Sequence, residues 1–186
     1  MSDQRLKVIN LWAGPGAGKS TTAAGLFNLM KNMGHSVELV TEVAKDMVYA
    51  GRIDELRESQ LYVTGKQDHR LRRLIGKTRY VITDSPLPLA LVYRPKTGPF
   101  ADDWFIDTVL QTWRSYENIN IQVVRVKKFS PQGRTQKSLE EAKRVDNEVI
   151  GLWNRIVPLG GLHVPGDSEA PRTIYDWLVK TKGVHP

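Results

Sequence analysis

The 186-residue sequence has no cysteine. That excludes disulfides, zinc–thiolate sites and thiol nucleophiles. It is also short of acid, with 20 Asp and Glu against 27 Lys and Arg and a formal net charge of +7. An imbalance of this sign suits a polyanionic substrate or partner. No apolar run approaches the length of a membrane span, so no membrane partner is expected. The start, Met1 to Arg5, lacks the basic-then-apolar layout of a secretory signal, and a cytoplasmic protein is the expectation. Repeats, low-complexity tracts and interdomain linkers are missing too, which makes residues 1–186 one expected domain, long enough for a sizeable core. The histidines, His35, His69, His163 and His185, have no metal-ligand spacing.

What is present is a glycine-rich turn, Ala13-Gly14-Pro15-Gly16-Ala17-Gly18-Lys19-Ser20-Thr21, directly after the apolar run Val8 to Trp12. A helix-compatible stretch with apolar Ala23, Leu26, Phe27 and Met30 follows at once, and Gly34 stops it. Strand, glycine turn, Gly-Lys-Ser and helix together make a phosphate-binding loop. Glycines let consecutive backbone N–H groups turn inward around anionic oxygens, and the helix start adds its positive end. Gly14 to Thr21 are therefore the expected ATP-binding residues. Lys19 is expected on the β- and γ-phosphates, and Ser20 on Mg²⁺. The first glycine of the usual pattern is Ala13 here, at the strand exit rather than in the cradle.

Further along, strands and helices alternate. Strands are expected at Ser36 to Thr41, Arg79 to Asp84, Ile119 to Val126 and Leu162 to Val164. Helices are expected at Val43 to Ala50, Gln60 to Gly76, Asp102 to Tyr116, Leu139 to Ile156 and Thr173 to Lys180. Core residues of the Asp102 helix are expected to be Trp104, Ile106, Val109, Leu110 and Trp113. Ser138 with Glu141 three residues on is a capping box. This alternation predicts a three-layer α/β phosphate-loop NTPase fold, a parallel five-stranded sheet with helices on both faces.

In such sheets ligands collect at the carboxyl ends of the strands. The glycine loop, Glu42, Asp84 and the basic loop after Val126 all fall there. Asp84 ends an apolar strand, where a carboxylate can hold Mg²⁺ or accept a hydroxyl proton; Glu42 is the second candidate base. The stretch 127–137, with Lys127, Lys128, Arg134 and Lys137, contains no acid and reads as a lid that closes over the nucleotide. Gln60, Thr64, Gln67 and Leu71 share one helical stripe, so the two glutamines lie on a solvated face or point their amides at a base edge. Tyr49 and Tyr93 are candidates for stacking on that base.

A signalling GTPase is disfavoured, because Thr64-Gly65-Lys66-Gln67-Asp68 matches the guanine-reading motif poorly and precedes the Asp84 strand. A mechanical ATPase is disfavoured because Ser85, not glutamate, follows Asp84. The order of glycine loop, Thr41-Glu42-Val43-Ala44-Lys45, glutamine-bearing helix, Asp84-Ser85-Pro86 and Gly133-Arg134 resembles the small phosphate-loop kinases related to nicotinamide riboside kinase and to deoxynucleoside and thymidylate kinases. It resembles within that group the phage 5-hydroxymethyluracil DNA kinases. The resemblance implies Glu42 or Asp84 as base, Arg134 as lid arginine, ATP with Mg²⁺, and a nucleoside-type acceptor, most specifically the hydroxymethyl of 5-hydroxymethyluracil within DNA. A free nucleoside or nucleotide kinase and a non-kinase ATPase or nucleotide-binding module are the alternatives. Ser85 stands where the usual deoxynucleoside kinases have an arginine, which counts against a standard free nucleoside. The basic stretches Lys66 to Arg79 and Arg125 to Lys137 are the candidate DNA contacts.

Overall fold

Strand β1 (Lys7–Trp12) is buried along almost its whole length because its side chains are apolar on both faces. Ile9 and Leu11 enter one core; Val8 and Trp12 enter the other. The computed structural model describes residues 5–126, 128, 130, 132, 135–136, 138–157 and 159–186. Around β1 stand β2 (Val37–Val40), β3 (Tyr80–Thr83), β4 (Glu117–Val124) and β5 (Leu162–Pro165), in the order β2-β3-β1-β4-β5. Every ladder is parallel, with Val8 opposite Val81 and Ile9 opposite Ile119.

Helices α1 (Lys19–Asn32) and α8 (Ala170–Lys182) cover one face, through Ala23, Leu26, Met30, Ile174 and Leu178. The other face carries α4 (Gln60–Arg72), α5 (Ala90–Tyr93), α6 (Asp103–Arg114) and α7 (Leu139–Ile156), which bury Leu71, Val92, Phe105, Val109 and Leu152 around Trp12. Trp12 meets Trp113 and Trp153 edge-on, with ring centroids 6.2 and 5.7 Å apart. Two short helices, α2 (Val43–Tyr49) and α3 (Ile53–Glu58), stand apart from both cores. They close on a small cluster of their own, Val43, Met47 and Leu56 against Tyr62 and Val63 of α4. Among the described residues no helix is long and apolar enough to cross a membrane.

The α/β sheet with helices on both faces is the architecture that the alternation predicts, but several local expectations change, helix α4 ending at Arg72 rather than Gly76 among them. Helix α3 has only six residues and no apolar period, so nothing in its sequence announces it. Strand β4 starts at Glu117 rather than Ile119 and ends at Val124, because its polar first residues pair with β1. There, Asn10 donates to Asn118 Oδ1 at 2.9 Å and Lys7 meets Glu117 at 3.3 Å. Trp104 is 44% exposed, and Phe105 takes the core position instead. Helix α8 starts at Ala170, three residues early, because Asp167 Oδ1 accepts from the backbone N–H groups of Glu169 and Ala170. At the start of α7 the serine half of the capping box is present: Ser138 Oγ accepts from Glu141 N at 3.1 Å.

Candidate functional site

The turn between β1 and α1 is built as its glycines require. Gly16 and Gly18 have φ of 75° and 110°, the left-handed region. Among the described residues no non-glycine has positive φ, so Ala13 sits at the strand exit without strain. The ammonium of Lys19 is buried and folds back along the loop, donating to the carbonyls of Ala13 and Gly14, both at 2.9 Å. Burial lowers its pKa; the charges of Glu42, Asp84 and Asp146 oppose that fall. The carbonyls thus hold a partly desolvated cation that phosphate oxygens could take over.

The loop is also gripped from behind, by residues that sequence reasoning missed. Asp146 of α7 accepts the N–H of Gly14 at 3.0 Å and pairs with Arg125, Nε to Oδ2 at 2.6 Å and Nη2 to Oδ1 at 3.1 Å. Arg125 Nη2 also donates to the carbonyl of Pro15 at 2.7 Å. A Cβ at Gly14 would lie 2.2 Å from Asp146 Oδ1, so this glycine is needed for close approach rather than for its dihedral. Arg125, expected beside the lid, is committed to this clamp. On the other side, a Cβ at Gly166 would lie 2.2 Å from the carbonyl of Ala17. The exit of β5 therefore packs directly on the phosphate loop. A bidentate pair between residues 21 apart and a glycine at a strand exit leave no local sequence signal.

At the neighbouring strand end, Ser20 Oγ donates to Asp84 Oδ2 at 2.5 Å. Asp84 is 2% exposed, and its Oδ1 is buried with no hydrogen-bond partner. An orphaned carboxylate oxygen beside a serine hydroxyl is a donor set suited to Mg²⁺, a hard cation that takes oxygen ligands and keeps water and substrate phosphates. Among the described residues no cluster of three or more His, Asp or Glu could hold a metal alone, so phosphates would have to complete the shell. Glu42 stands at the N-cap position of α2, partly buried on the cavity wall.

The loop, Glu42 and α2–α4 border a cavity of about 280 Å³, near the lower end of small-molecule sites. Lys19, Ser20, Thr21 and Glu42 line one end. Val48, Leu56, Val63, Leu87 and Leu89 supply apolar walls. Asp84 reaches the cavity through Ser20. Neither expected environment for the glutamines is found in full, because both are buried at 3% exposure. Gln67 is a brace: its Oε1 accepts from Val43 N at 3.0 Å, and its Nε2 donates to Thr41 O and Thr83 Oγ1 at 3.3 and 3.4 Å. With both amide protons engaged, it ties the ends of β2 and β3 together. Gln60 donates to Leu56 O at 2.6 Å and lines the cavity. Tyr93 lines it too, its phenol pKa pushed up by burial and then by the charge of Glu42. Tyr49 is 64% exposed and does not line the cavity. Two cations that sequence reasoning passed over, Lys45 and Arg57, do line it. The lid arginine, Arg134, lies outside the described residues, as do Lys127 and Lys137. Gln132, Thr135 and Gln136 of the same stretch line the cavity.

A family model described as an AAA domain matches residues 8–160. No curated protein matches the sequence. Among solved structures, a crystal structure of NadR protein in complex with NR superposes with a TM-score of 0.74 at 16% identity, covering 98% of this chain and 53% of that one. The chain thus spans about half the length of that structure, and the likeness is one of fold, that of a phosphate-loop NTPase.

Proposed function

The chain belongs to the AAA domain family, and from that premise and the geometry of its cavity we propose that it is an ATP-dependent phosphotransferase acting on a hydroxyl of a nucleoside-type acceptor. One observation carries this reading. Lys19, Ser20 and Glu42 line the same cavity as the apolar side chains of Val48, Leu56, Val63, Leu87 and Leu89, with Asp84 bonded to Ser20. The loop amides and Lys19 would bind the phosphates of ATP. Ser20 and Asp84 would hold Mg²⁺, which when bound would neutralise charge on the transferring group. The acceptor oxygen bonds to the γ-phosphorus, the bond to the β–γ bridging oxygen breaks, and ADP leaves. The hydroxyl proton passes to a carboxylate, Glu42 or Asp84, and Arg134 is the proposed lid arginine. That the NadR structure contains NR supports an acceptor of nucleoside size.

The finer proposal is the hydroxymethyl group of 5-hydroxymethyluracil in DNA. An apolar slot with Gln60 on its wall supports a flat base carrying a primary alcohol. The α4 stretch lends the polynucleotide part less support, since Arg70 pairs with Asp46 at 2.5 Å and Arg72 with Asp68 at 2.6 Å. A hydrolytic ATPase or nucleotide-binding module is the second reading, favoured by the AAA domain match. Transfer of label from γ-labelled ATP should separate them, using a nucleoside panel, 5-hydroxymethyluracil-containing DNA, and no acceptor. Acceptor-dependent label is expected, lost in Lys19→Ala and reduced about 100-fold or more in Asp84→Asn with a raised Mg²⁺ requirement. ADP release that ignores every acceptor would establish the ATPase reading instead.

A further inference from the structure

Among the described residues, four charged side chains line the cavity: Lys19, Glu42, Lys45 and Arg57. The first two have roles in the transfer itself. Lys45 and Arg57 have none, and among the described residues neither makes a side-chain hydrogen bond or an ion pair. Other arginines nearby are spoken for: Arg52 by Glu55, Arg70 by Asp46 and Arg125 by Asp146. Of the charged residues of α3, Arg57 alone faces the cavity; Asp54, Glu55 and Glu58 do not line it.

Their placement gives the cavity a direction. Gln67 marks its inner end, bonded to Thr41, Val43 and Thr83 at the sheet edge beside Asp84. Gln60 stands seven residues earlier on α4, about 10 Å along the helix axis. Leu56 O accepts from Gln60, so Arg57 sits at that outer end. Val48, Leu56 and Val63 lie on the walls, an apolar belt hostile to charge. A ligand that spans the cavity therefore meets phosphate chemistry at one end, apolar surface next, and the exposed Arg57 at the outer end, with Lys45 on the wall.

We propose that the acceptor is itself phosphorylated: a nucleoside phosphate whose reacting hydroxyl points toward Lys19 while its own phosphate rests at the outer end on Arg57, with the second unpaired cation of the wall, Lys45, adding to the attraction. The inference rests on the phosphotransferase reading and narrows its substrate class. The shared chemistry is a phosphate ester, supplied by a mononucleotide or by the backbone of a strand. Both cations are exposed, so their attraction is screened and salt-sensitive.

The test compares nucleosides, including 5-hydroxymethyldeoxyuridine, with their 5′-monophosphates and with a short oligonucleotide carrying each base. Binding is measured by calorimetry with a non-hydrolysable ATP analogue present, and transfer is measured separately with ATP. A monophosphate should bind at least tenfold more tightly than its nucleoside, less so at high salt. The double variant Lys45→Gln, Arg57→Gln should bind the two alike. A stronger oligonucleotide assigns the phosphate to a strand, and a weaker one to a free mononucleotide. Equal binding of nucleoside and monophosphate, no binding of any monophosphate, or discrimination that survives in the double variant overturns the proposal. Transfer to nucleosides with no gain from the phosphate would leave the kinase reading standing alone. Arg57-dependent binding of a monophosphate without any transfer would do the reverse.

Discussion

Replacing Asp146 by alanine is the most incisive perturbation of the phosphate loop, because Asp146 touches no part of the cavity wall yet holds the loop's backbone. Its removal deprives Arg125 of both carboxylate contacts and leaves the N–H of Gly14 without its acceptor. The Arg125 side chain is only 11% exposed and its Nη1 already lacks a partner, so the stranded guanidinium cannot simply turn to water. Breaking a fully buried pair from one side costs about 3–5 kcal/mol. Here the partners are 11% and 20% exposed, which argues for the lower end, about 3 kcal/mol. For a domain of this size that is a fall in Tm of roughly 6–12 °C. Asp146→Asn keeps one oxygen, which in the Oδ1 position still accepts from Gly14 N and Arg125 Nη2, but it sets an NH2 against Arg125 Nε and loses the charge, so its loss should be intermediate. Thermal melts report the stability. Titration with a fluorescent ATP analogue below the new Tm reports the loop, and affinity should fall in the same order, alanine more than asparagine. A Tm within about 2 °C of the parent together with unchanged analogue affinity for Asp146→Ala would refute the clamp.

Gly166→Ala should push a methyl group into the carbonyl of Ala17, with a predicted loss of about 1–3 kcal/mol and weaker nucleotide binding; parental affinity in the folded variant would show that β5 does not position the loop. His35 supplies a pH test. It is buried, its ring bonded to Tyr175 Oη at 3.2 Å, and burial lowers its pKa from the ordinary value of about 6.5, with the Arg79 charge acting the same way. The unfolded chain thus binds the proton more readily, so the stability His35 contributes is present above about pH 6.5 and declines as pH falls through its folded value. Denaturant midpoints measured from pH 7.5 down to 5.5 should fall in the parent and fall less in His35→Phe; parallel slopes would remove His35 as the cause.

The sequence by itself determined everything that depends on neighbours along the chain. An apolar strand, a turn whose Gly16 and Gly18 take left-handed dihedrals, and a helix opening at Lys19 fix the phosphate loop within about fifteen residues. Alternating elements fixed the parallel sheet, and the parallel sheet placed Glu42 and Asp84 at carboxyl ends beside the loop. The capping box at Ser138 was legible for the same reason: its donor and acceptor are three residues apart. Tertiary structure decided what depends on residues far apart. Gln67 looks like a free amide in sequence, but folding places it between two strand ends, where the backbone of Thr41 and Val43 and the hydroxyl of Thr83 use its donors and acceptor. Arg125 looks like part of a basic lid until α7 brings Asp146 alongside and neutralises it. Gly14 and Gly166 look alike as loop glycines; only packing shows that each makes room for another segment. Lys45 and Arg57 are ordinary surface cations until folding sets both on the lining of one cavity. Local conformation is encoded locally, whereas desolvation and charge pairing are set by whatever the chain's remote parts bring within a few ångströms.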